Sequence, residues 1–379
     1  MSSLLLQEAA GLRERLRRDS LPSFRHIRTP TGTWGLKDLN LYKLKDELEP
    51  IITYNKVDGI SVVDLRTTIT DKTAKIATAD LMTLVARDRD SLAAEHFTRI
   101  TGGLLIIVEK SLHEPLVIMH HYTPGTAAFR NTLIRVASGA EAIIIELHEG
   151  DPTAASHVTE AFLAEGSRLV HATLHEAGTL FLSRRCAATG RNASMDWFEL
   201  AVTNGESFSR TETLLEGEGA STRNLAVFLS RRGLVDLGAT AEHRAPRTTS
   251  GLVARGALGG DAKAVYEGTL AIKRQAAKSS AFQQEHVLLL SDDAESRASP
   301  TLLIENNDVR CTHAATTGKL DAEKLFYLMC RGLSRNEAER LLVKTFVWPV
   351  IETLDNEASC KIIPYAEPII ERFVRGGAA

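Results

Sequence analysis

The spacing of apolar residues changes character twice along the chain. Helical spacing runs through Leu4 to Arg18 and is broken at Pro22 and Pro30. A strand-like stretch follows from Ile60 to Thr67, and a second helix is predicted from about Thr78 to Thr98. From Asp321 onward the period is helical again. Ala322, Leu325, Phe326 and Met329 share a face between an N-capping Asp321 and a helix-stopping Gly332. Ser334 and Glu337 have capping-box spacing, and Ala338, Leu341, Leu342, Thr345 and Phe346 follow at helical intervals. A last helix carries Ile369, Ile370 and Phe373, with Pro364 or Pro368 near its start.

Between about Gly103 and Leu320 the helical period disappears. Short apolar runs replace it: Leu104 to Val108, Leu116 to His120, Ala142 to Leu147, Leu169 to Leu174, Trp197 to Val202, Leu225 to Leu229, Val287 to Leu290 and Thr301 to Ile304. Four of the intervening turns share one form: Gly139-Ala140-Glu141, Gly166-Ser167-Arg168, Asn192-Ala193-Ser194 and Gly219-Ala220-Ser221. Their central small residues lie 27, 26 and 27 positions apart, with looser copies at Asp261-Ala262-Lys263 and Asp293-Ala294-Glu295. Strands repeating at such a period without helices predict a solenoid, because one coil cannot bury its apolar face until the next stacks on it. A Greek-key sandwich or closed barrel generates no repeat of this length. The expected fold is mostly β: a right-handed parallel β-helix over 103–320, a mixed helical region over 1–102 and a helical region over 321–379. The ends of such a stack expose unpaired strand groups, which a helix, a loop or another protein must cover.

Composition narrows the function. A hydrophobic fraction of 44% and a charged fraction of 25% are those of an ordinary globular protein. The net charge of −3 provides no field for nucleic acid or an anionic membrane. Arg13, Arg15, Arg17 and Arg18 share their helix with Glu8 and Glu14 and read as a solvated face. No apolar run is long enough to span a bilayer, and Leu4-Leu5-Leu6 gives way at once to Gln7 and Glu8. The expected location is the cytoplasm, or an organelle stroma after loss of a transit peptide. Cys186, Cys311, Cys330 and Cys360 form neither a disulfide framework nor a paired zinc spacing.

Enzyme signatures are missing. The glycines at 256, 259 and 260 have no following Gly-Lys-Ser/Thr, and there is no G-x-S-x-G elbow and no H-E-x-x-H helix. His120 and His121, adjacent in a strand, point to opposite faces and do not readily converge on one ion; a strand-surface reading suits them better. The densest chemistry lies at Asp308-Val309-Arg310-Cys311-Thr312-His313. On an extended segment Cys311 and His313 share a face, and thiolate plus imidazole can ligate iron or another borderline metal. The same pair also reads as a small buried hydrophobe and a hydrogen-bonded core histidine, since burial is the commoner fate of free cysteine. Glu285 and His286, just before the Val287 run, are further candidate ligands or proton carriers and equally suit a solvated turn. His243, in His243-Arg244-Ala245-Pro246, is similarly open.

The stretch from His243 to Phe346 resembles the SufB/SufD family of iron–sulfur cluster assembly proteins. The resemblance is carried by HRAPRTTSGLVARGALGGDAKAVYEGTLAIKRQAAKSSAFQQEHVLLLS and SPTLLIENNDVRCTHAATTGKLDAEKLFYLMCRGLSRNEAERLLVKTF. Upstream, Trp34 with Leu36-Lys37-Asp38-Leu39 is similar to the family's N-terminal tryptophan motif, while residues 40–240 match in texture only. The family implies a parallel β-helix, pairing of two such subunits around a nascent cluster, and docking of the ATPase SufC on the C-terminal helical segment. SufB members carry a cysteine where Glu285 stands here, and a His-Glu-Ala run at His313-Ala314-Ala315. Cys311-Thr312-His313 with Ala315-Thr316 is closer to the Cys-Ser-His-Gly-Ala-Thr of the SufD branch, although Ala314 departs from the usual glycine.

The resemblance therefore implies a non-enzymatic, SufD-like subunit that partners SufB and SufC. The alternative is a SufB-type scaffold paired with a second copy of itself in a minimal system. His313 and Cys311 are the candidate iron or cluster ligands at the subunit interface, with Glu285, His286 and His243 behind them. Phe326, Tyr327, Leu328 and Arg331 are the candidate partner-binding residues. No stable cluster is expected on the chain alone, only iron or a transient iron–sulfur cluster at the interface, and nothing in the sequence specifies a flavin.

Overall fold

In a computed structural model of the chain, the described residues are 9–12, 14–15, 26–29, 32–35, 47–65 and 80–376. Residues 9–12 and 14–15 are helical, and β1 (His26–Thr29) and β2 (Gly32–Gly35) form an antiparallel hairpin. The rest of the proposed Leu4–Arg18 helix, Pro22, Pro30 and the segment Leu36 to Leu39 lie outside the described residues.

Two large sheets make the body. Nine strands form the first, in the order β3 (Ile51–Tyr54), β6 (Leu116–His121), β8 (Glu141–Glu149), β10 (Arg168–Ala177), β12 (Ser194–Thr203), β14 (Ser221–Ser230), β16 (Thr249–Leu258), β18 (Ser280–Leu289) and β21 (Arg310–Lys319). Ten form the second: β4 (Ile60–Asp64), β5 (Gly102–Val108), β7 (Ala127–Val136), β9 (Ala154–Leu163), β11 (Leu180–Thr189), β13 (Glu206–Leu215), β15 (Leu234–His243), β17 (Lys263–Ile272) and β19 (Glu295–Ala298), with β20 (Thr301–Ile304) also on β17. From β5 to β18 the chain alternates between the sheets, and each strand pairs in parallel with its counterpart one coil later, as in Ala142↔Leu169↔Met195. The result is a parallel β-solenoid of about eight turns. At its first end β3 and β4 run antiparallel to β6 and β5.

The repeated turn has a conformational cause. Gly139, Gly166, Asn192 and Gly219 all have φ between 52° and 73°, the left-handed region that glycine and asparagine tolerate best. The following residue, Ala140, Ser167, Ala193 or Ala220, is buried under the corner, where only a small side chain fits. Arg247-Thr248 and Lys278-Ser279 continue the series with φ of 58° and 60°, and the sequence pattern misses them because neither begins with glycine or asparagine. Asp261-Ala262 and Asp293-Ala294 belong to a different corner, the one leading into the second sheet.

The apolar runs locate mainly first-sheet strands. Parts of the second sheet escape such a reading because polar residues take inward positions, as in Glu206–Leu215 (ESFSRTETLL), where buried serines and threonines replace an aliphatic alternation. The strand from Ile60 ends at Asp64, and Val287 to Leu290 is the tail of β18 rather than a strand of its own.

Of the segment proposed as helical over 78–98, the described residues 81–90 form turns and the helix is α1 (Ser91–Thr98), capped by Asp90. The preceding turns wrap a carboxylate instead. The amides of Met82, Leu84 and Val85 all donate to Glu160, which replaces the intrahelical acceptors. This segment and α1 cover the outer face of the second sheet through Leu81, Val85, Ala94 and Phe97.

The C-terminal helices are α2 (Ala322–Cys330), α3 (Arg335–Glu352) and α4 (Asn356–Arg375). Asp321 caps α2, Gly332 stops it at φ 97°, and Ser334 and Glu337 close a capping box. Two expectations shift. Pro364 and Pro368 lie inside α4, whose start is set by Asp355. A buried apolar face of Ala358, Ile362, Ala366, Ile370 and Phe373 holds the helix across the prolines. On α3 the buried face is Ala338, Val343, Val347, Val350 and Ile351, leaving Leu341 and Thr345 exposed. Together α3 and α4 cover the outward residues Ile145, Leu147, Val170, Leu174, Phe198, Leu200, Leu225 and Val227 of the first sheet.

Candidate functional site

The last strand, β21, carries Cys311 and His313. Its register on β18 is Ala281↔Cys311, Gln283↔His313 and Glu285↔Ala315. Ala281, Gln283, Glu285 and Val287 are the buried, inward-facing residues of β18, so Cys311 and His313 continue that column. In the final coil, however, the inward face is open: Cys311 is half-buried and His313 exposed. Among the described residues no strand pairs with the outer edge of β21. Burial raises the Cys311 thiol above its usual range, so thiolate ligation needs a metal to displace the proton.

Glu285 is not in a turn. It lies within β18, buried, with neither carboxylate oxygen hydrogen-bonded, and burial lifts its pKa to about 7. It therefore sits beneath the open coil as a carboxyl close to half protonated at neutral pH. His286 also lies within β18, facing outward, and its Nδ1 meets Thr316 Oγ1 at 2.6 Å. His243 is drawn into the scaffold. Its Nδ1 contacts Thr248 Oγ1 at 2.7 Å and its Nε2 contacts Ser250 Oγ at 2.8 Å, so both ring nitrogens are already partnered. Burial lowers its pKa to about 4. Glu285 thus lies on the same inward column but beneath Ala315, two positions past His313, and His243 stands apart.

The candidate partner-binding residues lie on α2, directly after β21. Phe326 is 68% exposed and Tyr327 57%, Leu328 is half-buried, and only Leu325 of this helix is buried. Arg331 lies over the Tyr327 ring, 5.1 Å from its centroid, and donates to its hydroxyl at 3.2 Å. Two large aromatic side chains in water on a short helix form the kind of apolar patch that marks an association surface. No helix among the described residues is long and apolar enough to cross a membrane.

A second constellation was missed by the sequence reading. His120 and His121 do point to opposite faces, but His120 points into the solenoid and is fully buried. Register stacks it on His148 and His175 of the next two coils. The rings of His120 and His148 are parallel at 4.5 Å, and Glu146, His157 and His171 close around them. The available signal was a histidine recurring at 120, 148 and 175, close to the period of the turns. One coil further, Glu199 pairs with Arg185 and accepts from Ser209 at 2.9 Å. One side of the solenoid interior is therefore polar through its first coils, beside an aliphatic side built from Ile106, Ile118, Ile134 and Ile144.

Comparison with known proteins agrees with this architecture. A family model described as the SufBD core domain of SUF system iron–sulfur cluster assembly matches residues 119–346. The chain is 26% identical over 353 residues to the iron–sulfur cluster assembly protein SufD of Bacillus subtilis, covering 89% of this chain and 80% of that one. It is 28% identical over 278 residues to a SufBD family iron–sulfur cluster assembly protein of Mycobacterium tuberculosis, covering 69% of each. The coil that bears Cys311 and His313 and the exposed helix that follows it both fall within the matched core, and the chain belongs to the SufBD family of the SUF iron–sulfur cluster assembly system.

Proposed function

We propose that this chain is a SufD-like, non-enzymatic subunit that pairs through its open final coil with a SufB scaffold and docks SufC on α2. The observation that carries the reading is the exposed inward face of β21. An unpaired strand edge with half-exposed Cys311 and exposed His313 is a surface that a second solenoid can complete. A thiol and an imidazole on one face give a mixed ligand pair suited to iron, with the Glu285 carboxyl further along the same inward column. The absence of a cysteine at Glu285 favours the SufD role over a self-paired scaffold.

Co-expression with SufB and SufC, followed by native mass measurement, tests the partners. A stable complex with both is expected; homodimers that bind SufC and exclude SufB would replace this reading with the scaffold one. Within the complex, His313→Ala is expected to leave the stoichiometry intact and lower iron content and cluster yield several-fold, with Cys311→Ala weaker. Unchanged iron in His313→Ala would make that histidine structural. For SufC, removing residues 321–379 is a poor test, since it would uncover the apolar outer face of the first sheet. Phe326→Ala with Tyr327→Ala is the cleaner variant, and retained SufC binding would refute the docking role.

A further inference from the structure

The geometry points to a buried metal site inside the first coils, formed by His120, Glu146, His148 and His157 and suited to a divalent ion of the zinc class. One ligand atom from each residue lies within 4.8 Å of all the others. The centre of the arrangement is Glu146 Oε2, with the Nε2 atoms of His157, His120 and His148 at 3.1, 3.4 and 3.7 Å. Zinc–nitrogen bonds of about 2.0–2.1 Å place neighbouring ligand atoms of a tetrahedron about 3.3–3.4 Å apart. The three separations from Oε2 bracket that edge length, and every other pair of ligand atoms lies within 4.8 Å.

The surrounding contacts suit ligation better than hydrogen bonding. Glu146 Oε2, His120 Nε2 and His148 Nε2 are buried and have no aligned hydrogen-bond partner. Unpartnered polar atoms of this kind are costly in an interior, and three converging on one point call for a shared partner. The other carboxylate oxygen, Oε1, is held by His171 Nε2 at 3.3 Å, which fixes the direction of Oε2. His148 Nδ1 meets the Tyr122 hydroxyl at 2.9 Å, which leaves its Nε2 facing Glu146. Such outer contacts orient ligands at known metal centres. Nδ1 of His120 and of His157 has no such support. His157 Nε2 also lies 3.0 Å from Thr132 Oγ1, a contact it would exchange for the ion.

Burial holds His120, His148 and His157 below the ordinary histidine range, the last to about 3, so all three are neutral and ready to donate a lone pair. Burial opposes the charge on Glu146, but the surrounding imidazoles of His157, His120 and His171 outweigh it and hold the carboxyl well below its usual range. The neighbouring cation, Arg130, is paired with Glu49. Four protein ligands and burial on every side describe a structural ion with no open position for substrate. It would tie β6 and β8 of one sheet to β9 of the other, beside the apolar half of the interior filled by Ile118, Ile144 and Leu163. This site is independent of the assembly role proposed above and shares no residue with it.

The test uses the full-length protein, treated with chelator and then dialysed against Zn²⁺ or Co²⁺ alone. About one equivalent of Zn²⁺, a raised melting temperature and the intense visible absorption of four-coordinate Co²⁺ are expected. Glu146→Gln and His148→Ala should each weaken Zn²⁺ binding more than tenfold, whereas Cys311→Ala with His313→Ala should not. A folded wild-type chain that takes up neither ion overturns the proposal whether or not the variants fold. So does a full equivalent retained in folded Glu146→Gln and His148→Ala.

Discussion

The two ends of the solenoid solve the same problem in opposite ways. At the first end, β3 and β4 turn antiparallel against the stack, the segment from Leu81 to Thr98 covers the outer face, and polar residues are sealed inside. At the last end, β21 stacks in register and then stops, leaving its inward face in water beside an exposed aromatic helix. Inward-facing histidines therefore have two fates. His148 is walled in by His120, Glu146, Tyr122 and Phe181, while His313, six strands further along the same sheet's inner face, meets solvent. The difference teaches that position along the stack, rather than residue type, separates scaffold from surface in a repeat architecture.

The largest test of that contrast is Glu146→Leu. It leaves the buried imidazoles at 120, 148, 157 and 171 without the carboxylate on which they converge, and about 3 kcal/mol or more of stability should be lost in chemical denaturation. Ile362→Ala comes next. This side chain is fully buried between α4 and the first sheet, and truncation should cost about 2–4 kcal/mol by the same measurement. A smaller loss would mean that the helix pair covers the sheet without supporting it.

Acid and base should distinguish the ends next. Glu285 has a folded pKa of about 7, raised by burial, against an ordinary value of 4.5. Between those values the folded chain holds a proton that the unfolded chain has released, so this group's contribution to stability falls as pH rises. Glu285→Gln should therefore gain stability relative to the wild type between about pH 5 and 7.5. The buried imidazoles act in the other direction. His96 at about 4 and His157 at about 3 stay neutral while the unfolded chain protonates near 6.5, so their contribution is lost as pH falls below that value. Parallel stability curves for Glu285→Gln and the wild type would show that this carboxyl is not protonated in the fold.

The smallest effect belongs to the open end itself. His313→Ala removes an exposed side chain and should change the stability of the isolated chain by less than about 0.5 kcal/mol. A loss comparable to that of Glu146→Leu would abolish the distinction between the two ends.

Much of this molecule is legible without coordinates. The turn repeat led by Gly139, Gly166, Asn192 and Gly219 specifies a coil because those residues adopt a left-handed backbone at low cost, and the small residue after each fits under the corner. Asp321, Gly332 and the Ser334–Glu337 box mark helix ends for equally local reasons. Cys311 and His313 share a face because strand side chains alternate, which sequence spacing alone dictates. What the tertiary structure decided is which neighbours come from other coils. His120 gains its companions from residues 26 to 37 positions away, and Glu285, which reads as a turn residue in isolation, becomes a buried inward-facing carboxyl beneath Ala315 of the last coil. His243 reads as a possible ligand until Thr248 and Ser250 occupy both of its nitrogens. Local conformation is a property of a few adjacent side chains and backbone dihedrals. Burial, pairing and charge state depend on the stacking register, which no single coil contains.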